Sequence, residues 1–141
     1  MTGGAAPAWP KPLPQPTPIS QPFWDAARER RLSIQRCAAC QRYLFYPRPL
    51  CPFCGATELV WTDVSGRGTV YSYTVARRPT ARPFEPDVPY VIAIVELAEG
   101  PHMTTNIIGC DPDSVHIGMA VEAAFEDATD EVTLVKFRPA G

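Results

Sequence analysis

The sequence from Cys37 to Cys54 reads CAACQRYLFYPRPLCPFC and holds four of the five cysteines of the chain. They form two C-x-x-C pairs, Cys37/Cys40 and Cys51/Cys54, separated by ten residues. Each pair brings two thiolates to one metal ion, and two pairs complete a tetrahedron. This spacing predicts a structural Zn²⁺ site with no ligand position left open for a substrate. Iron in a rubredoxin-like centre is the alternative, because four thiolates hold either ion.

The residues around the cysteines also fit a metal site. A zinc ion with four thiolates carries a charge of −2, and three arginines are expected to balance it: Arg36, Arg42 and Arg48. Three aromatic residues in the connector are expected to cover the metal: Tyr43, Phe45 and Tyr46. Gly55 follows the second pair and permits a left-handed backbone, whereas Gln41 holds the same place after the first pair.

Composition limits the classes of protein to which the chain can belong. It has 141 residues, 45% hydrophobic and 20% charged, which suits one compact domain with a small appendage. A net charge of −2 argues against binding that depends on nucleic-acid phosphates or anionic lipid. No apolar run is long enough to span a membrane, and the N-terminus does not resemble a signal peptide. We therefore expect a cytoplasmic protein with reduced thiols and no membrane partner.

Residues 1–19 carry six prolines, at positions 7, 10, 12, 14, 16 and 18. Each proline fixes φ and removes a backbone donor, which predicts a semi-extended, proline-rich arm. Such a segment is either a disordered leader or an arm that lies on a partner or on its own domain. In the second case its anchors would be Trp9, Leu13 and Ile19.

A short helix is predicted from Ser20 to about Arg31. Ser20 is placed to cap its first turn, where Pro22 is tolerated, and arginines cluster near its end. Phe23 and Trp24 give the helix an apolar stripe that must pack on something, because so short a helix is unstable alone. The stripe contacts either the rest of this chain or a partner protein.

Beyond Gly66 the hydrophobic pattern has a period of two residues, which indicates strands. Tyr71 and Tyr73 fall on the same face as Val75 and are therefore expected in the core. The segment Tyr90–Leu97 is apolar on both faces, as in a strand that is covered on both sides. The predicted strands, with a helical turn at 111–115 before the fourth, are 69–77, 90–97, 102–108, 119–126 and 132–137.

This element order predicts a mainly β protein: an N-terminal helix and rubredoxin-like zinc ribbon, followed by a five-stranded OB-fold barrel. The predicted organisation is an arm at 1–19, the helix and ribbon at 20–62, and the barrel at 63–141.

No catalytic constellation is visible in the sequence. His102 and His116 lie outside any nucleophile motif, and Cys110 is interpreted as a half-buried residue at a strand end rather than a reactive thiol. Asp111 and Asp113 are interpreted as acids at a helix start. The one segment suited to a ligand is a proline-rich loop whose arginines could bind a diphosphate beside an aromatic ring: Arg77, Arg78, Arg82 and Phe84. The alternative is a solvated loop.

The motifs in this order resemble one protein family. They are Phe23-Trp24, the run from Cys37 to Gly55, the strand from Gly66 to Thr74, and the segment from Ile108 to Glu122. Together they are similar to the zinc-ribbon/OB-fold proteins of acyl-CoA metabolism, formerly a family of unknown function, over about residues 20–138.

This resemblance implies a non-catalytic accessory subunit with structural zinc. Family members accompany thiolase-like enzymes such as acyl-CoA acetyltransferases and the aldolases of steroid side-chain degradation, and some accompany hotdog-fold hydratases. The arginine loop is then suited to the diphosphate of CoA, and Phe23 and Trp24 to the partner interface.

A second hypothesis is a nucleic-acid-binding ribbon and OB module. The acidic pI and the lack of a dense basic face argue against it. We therefore expect a thiolase-like or hydratase partner and no nucleic acid.

Overall fold

The structure is a computed structural model that describes residues 9–141; the prediction for residues 1–8 of the arm lies outside this range. It is mainly β, as predicted. The elements in chain order are α1 (Gln21–Arg28), β1 (Ser33–Cys37), β2 (Tyr43–Leu44), β3 (Leu59–Asp63), β4 (Arg67–Ala76), a 3₁₀ helix (Arg82–Asp87), β5 (Tyr90–Leu97), β6 (His102–Ile107), a 3₁₀ turn (Pro112–Ser114), β7 (Ala120–Asp127) and β8 (Thr133–Pro139). None of the helices among residues 9–141 reaches the length and apolarity that a bilayer-spanning helix requires.

Three short antiparallel strands form the ribbon, in the order β2-β1-β3. The central strand β1 pairs Gln35 with Leu44 on one side and Ser33 with Asp63 on the other. The alternation of apolar and polar residues from Leu32 to Arg36 predicts β1, whereas β3 was not predicted. A run of apolar and β-branched residues (Leu59, Val60, Trp61 and Thr62) was the available signal.

The second sheet is a closed barrel with the strand order β4-β5-β6-β8-β7, which confirms the predicted five-stranded barrel. The predicted strands are all present, with ends that agree to within two residues, and the helical turn precedes the fourth strand as expected. Closure between β6 and β8 is parallel and rests on a single bridging pair, Ile107 with Phe137. This seam is therefore the weakest line of backbone pairing in the barrel.

The prediction that Tyr71 and Tyr73 lie in the core is wrong. The register of β4 against β5 shifts between Val70 and Ser72, so that one extra residue is inserted in β4. Such a bulge reverses the inward face from that point on, because side chains alternate along a strand. Tyr71 therefore points outward, whereas Tyr73 lies opposite the buried Ala93 and is still 36% exposed. Val70 is buried, whereas Tyr71 is 55% exposed and stacks on the ring of His102, with centroids 4.4 Å apart.

Strand β5 is covered on one face only, contrary to the expectation of two covered faces. Its inward residues are buried at every second position, Val91, Ala93, Val95 and Leu97. Ile92, on the other face, is 37% exposed. The apolar outer face therefore lies on the barrel surface, where a strand of a closed barrel meets solvent.

Helix α1 begins at Gln21 and ends at Arg28, earlier than predicted. Arg30 has a φ of 63°, and the amides of Arg30 and Arg31 donate to the carbonyls of Ala27 and Ala26. This pattern is a Schellman motif with arginine at the position that usually holds glycine. The side chain of Arg30 then donates to both carboxylate oxygens of Asp127 on β7, each at 2.7 Å.

The predicted side-chain cap by Ser20 is not present. The hydroxyl of Ser20, which is fully buried, instead accepts a hydrogen bond from the amide of Thr17 at 2.9 Å. The amide of Gln21 donates to the carbonyl of Thr17 at 2.8 Å. A compact turn thus joins the arm to the helix, and this turn competes successfully with capping for the serine oxygen.

The described part of the arm lies on its own barrel. Lys11 donates to Asp87 at 2.7 Å, and its ammonium group lies 4.3 Å from the ring centre of Trp9. Of the three predicted anchors, only Trp9 is partly buried, whereas Leu13 and Ile19 are 40% and 42% exposed. Residues 12–19 therefore lie on the surface of the protein and do not pack into it.

One hydrophobic core joins the helix, the ribbon and the barrel. It includes Phe23 from α1, Leu32 and Ile34 from β1 and its approach, and barrel residues such as Val95 and Phe137. A second, much smaller cluster surrounds the cysteines. Burial of apolar surface thus holds the barrel, while the ribbon has few apolar residues of its own to bury.

Candidate metal centre and partner surfaces

The two cysteine pairs form matching turns. The amide of Gln41 donates to the carbonyl of Cys37, and the amide of Gly55 donates to the carbonyl of Cys51, both at 2.9 Å. Gln41 and Gly55 both have a left-handed backbone, with φ of 69° and 79°. The predicted departure in the first turn is therefore real, because a residue with a Cβ occupies a conformation that favours glycine.

The four sulfur atoms fit a tetrahedral metal ion. Those of Cys37 and Cys54 are 3.6 Å apart, as are those of Cys40 and Cys51, and all four lie within 4.8 Å of one another. A tetrahedron with zinc–sulfur bonds of about 2.3 Å has sulfur atoms about 3.8 Å apart. The amides of Cys40 and Phe53 also point at the sulfurs of Cys37 and Cys51, each at 3.4 Å.

The electrostatics of the cluster favour a bound cation. The amide of Cys40 donates to the sulfur of Cys37 and lowers the pKa of that thiol to about 7. The amide of Ala56 favours the thiolate of Cys54, but proton sharing with Cys37 and the other cysteines raises its pKa to about 11. Four adjacent thiols cannot all ionise unless a positive charge lies between them. A divalent metal ion supplies that charge.

The cover of the site is aliphatic rather than aromatic. Leu44 is buried against Cys37 and Cys51, and Leu59 packs beside them. Phe45, which was expected over the metal, instead packs on Phe23 of the helix, with ring centres 5.5 Å apart. Leu44 and Phe45 thus point to opposite sides of the connector, as adjacent residues of an extended segment do.

The arginines near the cysteines contact aromatic rings. The guanidinium group of Arg36 lies 5.1 Å from the ring centre of Tyr43, and that of Arg42 lies 4.7 Å from that of Phe53. Within residues 9–141, neither these two arginines nor Arg48 forms an ion pair with a carboxylate. Their predicted role in balancing the charge of the metal centre stays a prediction.

The two helix residues predicted for the partner interface have different environments. Phe23 is 3% exposed and belongs to the shared core, so it offers almost no surface to another protein. Trp24 is half-buried and packs edge-to-face on Phe23, with ring centres 5.0 Å apart. Its indole N–H is buried without an acceptor in the described part of the chain. A role for Trp24 in binding a partner stays a prediction.

The predicted ligand loop lies on the surface between β4 and β5. Arg78 and Arg82 are exposed, and Arg77 donates to Asp113 at 2.8 Å. Phe84 stands beside Tyr90, with ring centres 6.1 Å apart, and both line a cavity of about 520 Å³ next to the arm. The structure thus separates the arginines, which face solvent, from Phe84, which faces the cavity.

Residues 9–141 contain no arrangement of a nucleophile with a base. His102 begins β6 and is partly exposed beside Glu96, at 3.5 Å. His116 is exposed. Cys110 is half-buried, as predicted, and Asp111 accepts a hydrogen bond from the amide of Asp113, as expected of an acid at a helix start.

Four large apolar residues of the ribbon are exposed and were not predicted to be so, and we call them together the ribbon surface: Tyr46, Leu50, Phe53 and Val60. Their exposed fractions lie between 47% and 55%. Exposed apolar side chains mark a site of protein contact where they form one contiguous patch. The signal in the sequence was the number of large apolar residues from the connector to β3, beyond what the small ribbon can bury.

A four-cysteine ribbon followed by a closed five-stranded barrel defines the class of zinc-ribbon and OB-fold proteins. Residues 24–60 match the family described as ChsH2, rubredoxin-like zinc ribbon domain. Residues 61–126 match ChsH2, C-terminal OB-fold domain. The chain therefore belongs to the ChsH2, or DUF35, family, which confirms the resemblance drawn from its motifs.

Three similar proteins have names that indicate a role. The probable enoyl-CoA hydratase alpha subunit of Thermomonospora curvata is 48% identical over 119 residues, which cover 84% of this chain and 37% of that protein. A DUF35 domain-containing scaffold protein of Methanocaldococcus jannaschii is 42% identical over 124 residues, 82% of this chain and 87% of that protein.

The third is a solved structure, the Ltp2-ChsH2(DUF35) aldolase. It is 44% identical with a TM-score of 0.81, and the match covers 91% of this chain and 99% of that one. The chain thus spans little more than a third of the hydratase subunit but most of the other two chains.

Proposed function

We propose that this protein is a non-catalytic accessory subunit of an enzyme complex that acts on CoA thioesters, and that its partner is a thiolase-like enzyme. The observation that carries the proposal is the match along almost the full length of the ChsH2 chain in an aldolase structure. The name of the archaeal relative, a scaffold protein, supports the same role. A hydratase partner, as in the name of the Thermomonospora relative, is the second candidate within this class.

The arrangement of the site supports a role without catalysis. A metal held by four cysteines has no open position for a substrate or water, so we propose that it is a structural Zn²⁺. Its contribution is to fix the two cysteine turns and the connector between them, where Tyr46, Leu50 and Phe53 of the ribbon surface lie. Catalytic groups would then come from the partner.

The ribbon surface is the proposed contact with the partner. Leu50 directly precedes the second cysteine pair and Phe53 lies within it, so a bound metal would hold their backbone and little freedom would be lost when a partner covers them. Trp24 borders a cavity that Tyr46 also lines, which extends the proposed contact toward the helix.

We further propose that the loop with Arg77, Arg78 and Arg82 binds the diphosphate of CoA when the partner holds a thioester. Two of these guanidinium groups are solvent-exposed and lack a carboxylate partner in the described residues, which favours an anion. Phe84 lines the neighbouring cavity rather than the solvent-facing side of the loop, so a ligand would contact both only by reaching from the arginines into that cavity.

The proposal is tested by measuring the affinity of the full chain for a purified thiolase-like enzyme encoded beside it. Leu50→Glu combined with Phe53→Glu should weaken binding by about tenfold or more, because apolar anchors at an interface dominate affinity. Ile117→Glu is the control, because Ile117 is an exposed apolar residue of the barrel at 62% exposure. It should leave the affinity within about twofold of the wild-type value.

Zinc content and circular dichroism establish that each variant is folded. Equal effects of the ribbon and control variants would contradict the proposed surface. A chain that binds no thiolase-like enzyme but binds nucleic acid with a steep salt dependence would contradict the proposed function itself. In the assembled complex, replacing Arg77, Arg78 and Arg82 by alanine should raise the KM for the CoA thioester and leave kcat unchanged.

A further inference from the structure

The arm between Trp9 and Pro18 has a proline at every second residue. Its sequence is WPKPLPQPTP, so every residue in it either is a proline or precedes one. Proline fixes φ near −65°, and a residue before proline is restricted to extended conformations. The whole segment is therefore held extended by its sequence, without hydrogen bonds to a neighbouring strand.

The two-residue spacing of the prolines has a consequence for hydrogen bonding. In an extended strand, alternate residues direct their N–H and C=O groups to the same side. Prolines at even positions remove every donor from one side, whereas Lys11, Leu13 and Gln15 keep their donors on the other. Such a strand can pair with one neighbour and cannot pair with a second.

This spacing differs from that of segments that are recognised as polyproline helices. A polyproline helix has three residues per turn, and the grooves that bind it accept prolines at matching intervals. A two-residue repeat instead has the period of a β-strand. The pattern thus favours recognition through backbone hydrogen bonds at a sheet edge.

The structure leaves these donors available. Within residues 9–141, the amides of Lys11, Leu13 and Gln15 have no hydrogen-bond acceptor, whereas the amide of Thr17 donates to Ser20. Leu13 and Gln15 are exposed. The arm is nonetheless fixed at both ends, by the ion pair of Lys11 with Asp87 and by the turn from Thr17 to Ser20.

Fixed ends and free backbone groups together define an interaction surface. We propose that residues 11–16 add as a strand to an exposed sheet edge of the enzyme partner, a mode of binding in which backbone hydrogen bonds supply affinity. The segment has the length of a typical strand, about five or six residues. Because its ends are already held, less entropy is lost on binding than for a free peptide. This inference rests on the proposed function, which supplies the thiolase-like partner.

The test compares full-length chains in their affinity for the thiolase-like enzyme. Leu13→Pro with Gln15→Pro removes two donors but keeps the arm extended, and it should weaken binding by about tenfold or more. Leu13→Ala with Gln15→Ala removes the same side chains and keeps the donors. It should change the affinity by less than about threefold.

A third variant separates sheet pairing from polyproline recognition. Pro12→Ala with Pro14→Ala leaves the donor side intact and should also change the affinity by less than about threefold. In the wild-type complex, the amides of Lys11, Leu13 and Gln15 should exchange with solvent more slowly than in the free chain. The amide of Thr17 serves as an internal reference because it is already hydrogen-bonded.

Any other pattern of affinities among these variants overturns the inference. Equal losses in the proline and alanine variants of Leu13 and Gln15 would indicate side-chain contacts. Loss in the Pro12/Pro14 variant alone would indicate a polyproline groove. Unchanged affinity in all variants would show that the arm lies outside the interface while the proposed function stands. A wild-type chain that does not bind the enzyme would overturn both.

Discussion

The ribbon and the barrel reach a stable fold by different means. In the ribbon, the buried residues around the cysteines are only Cys37, Leu44 and Cys51. The barrel buries apolar residues from each of its strands, among them Val70, Val95, Met103, Val121 and Phe137. A metal ion can replace a hydrophobic core where a segment is too small to form one. The ribbon can therefore leave its large apolar residues exposed, because its stability does not require their burial.

The two regions also differ in charge. Residues 20–62 carry six arginines and three acidic residues, a balance of +3 before the metal centre is counted. Residues 63–141 carry six basic and twelve acidic residues, a balance of −6. An acidic barrel repels nucleic-acid phosphates, so the usual ligand of an OB fold is disfavoured in this one. Basic, apolar surface is therefore concentrated on the ribbon side.

The largest effect should come from loss of the metal. Cys51→Ser, or removal of zinc by a chelator, should remove the free energy that metal binding contributes to folding, which is on the order of 10 kcal/mol. The cysteine turns, β2 and β3 should then unfold. Strands β4 to β8 should stay folded, because their burial does not depend on the cysteines. Zinc analysis and hydrogen exchange across the two sheets measure this difference.

Cys110→Ser is the matched control, since Cys110 is the one cysteine outside the cluster. It should leave the zinc content and the exchange pattern of the ribbon unchanged. Simultaneous unfolding of both sheets in Cys51→Ser would mean that they form one cooperative unit, and that the barrel also depends on the metal for its stability.

An intermediate effect is expected from the barrel core. Phe137 is fully buried, and Phe137→Ala should lower the free energy of unfolding by about 3–5 kcal/mol through lost burial and a cavity. Phe53→Ala, the same change on the exposed ribbon surface, should lower it by about 0.5 kcal/mol or less. Urea unfolding of both variants measures the contrast. Similar losses would show that the ribbon surface is needed for the fold.

The smallest effect concerns the ion pair that links the two regions. Hydrogen bonds from the guanidinium group of Arg30 and, to a lesser extent, from the hydroxyl of Thr133 hold the pKa of the Asp127 carboxyl well below its ordinary value. The stabilisation of the fold by the ionised Asp127 is therefore fully present above the unfolded-state pKa of about 3.9, and it is lost as the pH falls further. The difference in urea midpoint between the wild type and Asp127→Asn should shrink below about pH 4. Asp130→Asn, at an exposed acid of the same turn, should show no such narrowing.

The metal site and the barrel were accessible from the sequence because each has a strong local signal. Two C-x-x-C pairs define their own geometry, and a long apolar run rich in β-branched residues, such as Tyr90–Leu97, identifies a strand whatever surrounds it. The resemblance in motifs then extended the prediction to the family, which the comparisons confirm.

The predictions that failed concern features that tertiary contacts determine. The bulge beside Tyr71 depends on the register against β5, which no local pattern encodes, and it exchanged the inner and outer faces of the strand. Phe23 and Trp24 are adjacent and equally apolar in sequence, yet only Phe23 reaches the shared core. Which side of a short helix is buried depends on where the ribbon places it.

The core that passes from α1 through β1 into the barrel determines where the chain can be divided. The two family matches meet between residues 60 and 61, which suggests a natural cut. A barrel expressed from that point would lose Phe23, Leu32 and Ile34 and would expose the residues they cover. Apolar surface uncovered in this way promotes aggregation. Excising the barrel for separate study, or moving it into another protein, should therefore carry the helix and β1 with it.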